Sequence, residues 1–130
     1  MKKSIFLIGL IAGFFLLSTS EVSAQWSADV FYDDSNCDCG ELTGKTIEWE
    51  LKDLVIDKVI GSGSTVLSFN DPHELSGTET LVANSIDRYL LSARITYSDA
   101  GGMCCTGWDS GVFDGNDLIN GVAELDIVMD

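Results

Sequence analysis

Four cysteines and a group of aspartates are the residues in this chain best able to do chemistry. The cysteines fall in two tight groups, Cys37-Asp38-Cys39 and the adjacent pair Cys104-Cys105. Thiols at such positions can bind a metal, exchange electrons or form structural bridges. The choice depends on the compartment, because oxidising conditions favour bridges. A four-thiolate zinc site usually draws its ligands from knuckles with two to four residues between cysteines, a wider spacing than either group offers. In a strand, Cys37 and Cys39 share one face with Cβ atoms too far apart for an easy local bond. A Cys104–Cys105 bridge would strain the ring it closes across one peptide. Two bridges linking the 37/39 segment to the 104/105 segment avoid both difficulties, with the pairing between them left open. Such bridges would draw together two acidic segments. One holds Asp33, Asp34, Asp38 and Glu41, and the other Asp99, Asp109, Asp114 and Asp117. Calcium takes six to eight oxygen ligands, and loop aspartates supply them. Asp33, Asp34, Asp38, Asp109, Asp114 and Asp117 are therefore the candidate Ca2+ ligands. The competing role for each is turn formation, with the carboxylate bonding to nearby backbone N–H groups.

The oxidising compartment is indicated by the first 24 residues. Lys2 and Lys3 precede an apolar run from Ile5 to Leu17, and Val22-Ser23-Ala24 has the small residues of a cleavage site. This is the pattern of a secretory signal peptide over residues 1–24. The run is shorter than the roughly 20 residues that cross a bilayer, so no membrane insertion is expected after the leader is cleaved. Residues 25–130 then form a single domain that is secreted, periplasmic or associated with the cell surface.

The whole chain has 7 basic and 21 acidic residues. Cleavage after Ala24 removes two of the former and one of the latter, leaving a net charge of −15. A surface so negative repels phosphate backbones and anionic lipid, which argues against nucleic acid as a partner.

The elements that must position these residues read as strands. Trp26, Ala28, Val30 and Tyr32 alternate with other residues. Ile47-Glu48-Trp49-Glu50-Leu51 alternates strictly, and further strands are expected at Val66–Phe69, Thr78–Ala83, Tyr89–Tyr97 and Ala123–Met129. Leu51–Ile60 suits strand–turn–strand, although Leu51, Leu54, Val55 and Val59 would also share a helix face. Turns are expected at Gly61-Ser62-Gly63-Ser64, Asp71-Pro72, Gly101-Gly102 and Asp114-Gly115-Asn116-Asp117. About seven short strands predict an all-β fold, a small antiparallel β-sandwich of immunoglobulin-like or prealbumin-like type, stapled by disulfides.

The segment Asp38-Cys39-Gly40-Glu41-Leu42-Thr43-Gly44-Lys45-Thr46-Ile47-Glu48-Trp49 resembles the turn between the first two strands of prealbumin-like, carboxypeptidase-regulatory-type sandwich domains. The resemblance implies a scaffold turn in a domain with an accessory, adhesive or surface-presenting role. Asp114-Gly115-Asn116-Asp117-Leu118-Ile119 is similar to one fragment of the calcium nonapeptide of secreted β-roll proteins. Val112 and Phe113 replace its leading glycines, and no second copy follows.

Catalytic signals are sparse. His73, in Asn70-Asp71-Pro72-His73-Glu74, reads as an exposed turn residue, and no Gly-x-Ser-x-Gly elbow offers it a nucleophile. Paired carboxylates for glycoside hydrolysis depend on a separation that sequence does not supply. Among the aromatics, Trp49 is expected in the core. Trp108 is expected on a loop, where it either covers a disulfide or stacks on a sugar as a ligand contact. These features favour a non-catalytic binding or accessory module, calcium-assisted if the aspartates converge, with an extracellular protein or carbohydrate ligand. The alternatives are an assembly subunit whose edge strands pair with other chains and, more distantly, a small carboxylate hydrolase. A long uncharged edge would favour assembly. Glu124 and Asp126 argue against Ala123–Met129 in that role.

Overall fold

A computed structural model describes residues 21–40, 42–67 and 72–130. The apolar run of the leader and the Asp71 turn position lie outside these residues. Seven strands are present: β1 (Glu21–Asp33), β2 (Leu42–Asp53), β3 (Lys58–Val66), β4 (His73–Val82), β5 (Tyr89–Asp99), β6 (Gly102–Phe113) and β7 (Ala123–Val128). A one-turn helix, α1 (Gly115–Ile119), precedes β7. The strands form a three-stranded sheet, β4-β1-β7, and a four-stranded sheet, β3-β2-β5-β6. The predicted disulfide-bonded β-sandwich is therefore the observed fold. One pair departs from antiparallel order, because β1 runs parallel to β7. β1 begins at Glu21, opposite Val82, four residues ahead of the predicted mature terminus at Gln25.

Alternation builds the core. Trp26, Ala28 and Val30 of β1 point inward with Ile47 and Leu51 of β2, Leu91, Ala93 and Ile95 of β5, and Leu125 and Ile127 of β7. Each of these four strands thus gives one face to the apolar layer and one to solvent. Trp26 is buried, and Trp49 meets it edge-on with ring centroids 5.0 Å apart.

The 51–60 segment adopts the predicted strand–turn–strand. Asp53 Oδ1 accepts a hydrogen bond from Val55 N, and Arg88 makes a bidentate pair with the Asp53 carboxylate at 3.0 and 2.9 Å. Burial would raise the Asp53 carboxyl pKa. The Arg88 hydrogen bonds and charge, with the Val55 and Ile56 amides, outweigh burial and hold it below the usual carboxylate range.

Four other expectations are corrected. Gly61–Ser64 is not a turn but the middle of β3. Its glycines admit neighbouring side chains: a Cβ at Gly63 would stand 2.6 Å from Trp49 Nε1, and one at Gly61 would stand 2.5 Å from Glu79 Oε1. Of the expected strand at Val66–Phe69, Val66 is the last residue of β3 and Leu67 lies beyond it, while Ser68 and Phe69 lie outside the described residues. His73 is not exposed: it opens β4 opposite Val30 and is only 6% accessible. Trp108, expected on a loop, stands in the strand β6, which is paired along its length with β5.

Candidate functional site

The strongest constellation lies on the outer face of the four-stranded sheet. In β2, Ile47 and Leu51 turn inward, so Glu48 and Glu50 turn outward. β5 places Arg94 opposite Glu48 and Ser92 opposite Glu50. β6 continues these rows with Trp108 opposite Arg94 and Ser110 opposite Ser92. Glu48, Arg94 and Trp108 therefore lie side by side across three strands. Trp108 is 71% accessible, and a shallow trough of about 310 Å³ is lined by Glu48, Glu50, Ser92, Arg94 and Trp108. Arg94 Nη2 stands 3.6 Å from Glu48 Oε2, with both side chains more than half exposed. Such a pair contributes little to stability and leaves both groups free to face a ligand.

This placement corrects the expectation that Trp108 stands on a loop. The indole neither covers a disulfide nor sits beside the aspartates. Tyr97 is buried on the inner face and donates a hydrogen bond to Asp34 Oδ2 at 2.9 Å. Burial, then that carboxylate, pushes the Tyr97 hydroxyl pKa upward, so it stays protonated. Glu48, Glu50, Ser92 and Arg94 were missed as candidates. The alternation at Ile47–Leu51 signals that both glutamates face outward, but their alignment with Trp108 depends on β6 being a strand.

The disulfides form as two bridges between the predicted segments, Cys37–Cys105 and Cys39–Cys104, spanning 68 and 65 residues. Two adjacent cysteines in a regular strand would face opposite ways. Here the β5–β6 register slips between Tyr97 and Ser98, which pair with Cys105 and Met103, and leaves Cys104 as the extra residue. That bulge turns both sulfurs toward the 37/39 segment. The bridges fit an oxidising extracellular or envelope compartment.

The six candidate calcium ligands do not come together. Asp33, Asp34 and Asp38 lie at the end of the sandwich near the bridges. Asp114 and Asp117 lie at the opposite end, where Tyr89 pairs with Phe113. Asp109 is in mid-strand on β6. The expectation that the bridges gather all the acidic groups is corrected by the length of β6. It begins near the cysteines and carries the chain to the far end. Four of these carboxylates serve protein donors: Asp33 Oδ1 accepts from Ser35 N, Asp34 from Tyr97, Asp109 Oδ2 from Asp126 N and Asp114 Oδ1 from Asp87 N. Hydrogen bonds from Ser35 lower the pKa of the exposed Asp33 carboxyl. Among the described residues, no group of three or more histidine, cysteine or acidic side chains is arranged to hold a metal ion, and no helix is long and apolar enough to cross a membrane.

No family model and no curated protein matches this chain. Among solved structures, the fold is similar to an alternative pilotin from the type II secretion system of Vibrio cholerae, at 10% identity and a TM-score of 0.43, over 83% of this chain and 96% of that one. It is also similar to a pilus-presented adhesin, at 13% identity and a TM-score of 0.26, over 83% of this chain and 26% of that one. Both likenesses are too loose to carry a function.

Proposed function

We propose that this chain is an exported, non-catalytic binding module whose sheet face of Trp108, Arg94, Glu48, Glu50 and Ser92 takes an extracellular carbohydrate. The observation that carries this reading is the 71% exposure of Trp108 at the β6 end of a polar cross-strand row. A large aromatic held open on a rigid strand is a binding surface by default, because burying it is favourable and ordering it is already done. A sugar ring would lay its C–H face on the indole. Its hydroxyls would donate to the Glu48 and Glu50 carboxylates and accept from the Arg94 guanidinium. The role expected of the Asp38–Trp49 segment, a scaffold turn, fits this reading, since it ends where the binding row begins. The mature net charge of −15 favours neutral or amino sugars over acidic ones.

The test is a tryptophan-fluorescence titration of the mature chain with cello-, malto- and chitohexaose. At least one should give a saturable change that weakens tenfold or more in Trp108→Ala, with the melting temperature unchanged. Binding that survives Trp108→Ala at full strength would remove this face from the function.

A further inference from the structure

A sandwich of two open sheets has four edge strands, and this one treats them unequally. β6 and β7 cover each other: Thr106 and Asp130 exchange backbone hydrogen bonds at 3.0 and 3.0 Å, and Asp126 N donates to Asp109. Among the described residues, β3 and β4 face each other across the opposite side with no such backbone exchange. Two shallow grooves occupy this second seam. One, of about 400 Å³, is lined by Asp53, Ile56, Lys58, Ile60 and Glu79, and the other, of about 340 Å³, by Gly63, Thr65, His73, Glu74 and Ser76.

Edge strands normally carry lysine, proline or a bulge that discourages pairing with another chain. From Val59 to Val66, β3 has no charged residue and no proline. Its single irregularity lies at the hairpin end, where the register with β2 slips between Leu51 and Lys52. Beside this edge the apolar side chains of Leu54, Val55, Ile56, Val59 and Val66 are exposed. Asp53 and Arg88 hold the hairpin that carries the first three, so these side chains are presented to solvent on a fixed backbone. An edge that supplies backbone donors and acceptors, beside apolar positions, is the surface used when an extended segment joins a sheet.

We propose that β3 accepts, as an added strand, an extended segment of another protein that alternates basic with apolar residues. Charge selects this occupant. The seam presents Glu74 and Glu79 from β4 against Lys58, on a molecule whose mature charge is −15. A basic strand is drawn to it, whereas a second copy of this chain carries the same large negative charge and is repelled.

The experiment uses the mature chain labelled for amide NMR, with an eight-residue peptide of alternating lysine and valine and a control in which glutamate replaces lysine. The lysine peptide should slow amide exchange within Val59–Val66 at least tenfold and lose affinity as salt rises, while the glutamate peptide should do neither. The double variant Ser62→Lys, Ser64→Lys places cations opposite Glu50 and Glu48 on the exposed sheet face, where the fold accommodates them. It should weaken the peptide at least tenfold without lowering the melting temperature, and Trp108→Ala should leave peptide binding intact. Protection confined to β4 or β7, equal binding of the glutamate peptide, or β3 protection that grows with protein concentration alone would each overturn the proposal. The last result would assign the edge to self-association.

Discussion

The two lateral sides of this sandwich use glycine to opposite ends. On the β6/β7 side, a Cβ at Gly107 would stand 2.5 Å from the Val128 carbonyl oxygen and 2.8 Å from Ile127 Cγ2. The obstacle is backbone, and glycine there allows one sheet to touch the other. On the β3/β4 side, Gly61 and Gly63 meet the Glu79 carboxylate and the Trp49 indole. Glu79 accepts a hydrogen bond from Trp26 Nε1. Side chains, not strands, fill this second seam. The closed side is further locked by both disulfides, which join β6 to the segment that follows β1. The lesson is that one sandwich can close one lateral side with backbone contacts and fill the other with side chains.

The disulfides offer the largest way to break this contrast. Replacing all four cysteines by serine reopens a loop of 68 residues, worth about 4 kcal/mol in the chain-entropy model, and with the second bridge also gone the total loss is about 5–6 kcal/mol. Replacing only Cys39 and Cys104 leaves Cys37–Cys105 in place. The second bridge then removes only a short remaining loop, for an expected loss of about 1–2 kcal/mol. Urea unfolding of the three proteins measures both values. Equal losses for the pair and the quadruple variant would show that Cys37–Cys105 on its own contributes nothing to stability.

Alanine at the two kinds of glycine sharpens the comparison at lower cost. Gly107→Ala must push β6 from β7, and overpacking of this kind costs about 1–3 kcal/mol. Gly61→Ala needs only the far end of Glu79 to move, and the strand gains from losing a glycine. Its expected net effect is below about 1 kcal/mol. Thermal melts with matched calorimetric enthalpies decide the matter. A Gly61→Ala loss as large as that of Gly107→Ala would mean that Glu79 is as immovable as backbone.

Much of this was legible in the residues, and the failures share a cause. Strict alternation revealed β2 and β7, and the cysteine spacing revealed both bridges, because each signal is local and strong. β3 and β6 were hidden because their stretches are rich in glycine and polar residues. Such positions read as turns unless one knows that Trp49 or the Val128 carbonyl needs the space of a missing Cβ. Misreading β6 then hid the candidate face, since Trp108 joins Arg94 and Glu48 only through strand register. The aspartates misled for a related reason. Sequence proximity to cysteines suggested spatial proximity, and a 12-residue strand carried Asp114 to the other end of the molecule.

His73 gives the smallest test, and it probes the seam left open. Beside Glu74 at the start of β4, it is buried opposite Val30, and burial lowers its pKa from the ordinary imidazole value of 6.5. The folded chain therefore holds it neutral at a pH where the unfolded chain has already taken up a proton. Between the depressed folded value and 6.5 the unfolded state binds more protons, so stability falls as pH falls through this window. One histidine contributes a slope of at most about 1.4 kcal/mol per pH unit there. Carboxylates titrate lower and leave the window clear. Urea midpoints of the mature chain between pH 5 and 7.5 should decline on the acid side, and His73→Gln should flatten that decline while leaving the Asp53-dependent loss at lower pH. An unchanged slope in His73→Gln would mean that the imidazole opens to solvent and gains its proton while the chain is folded. The β3/β4 seam would then be wide enough to admit water to its floor, and an added strand would gain further by sealing it.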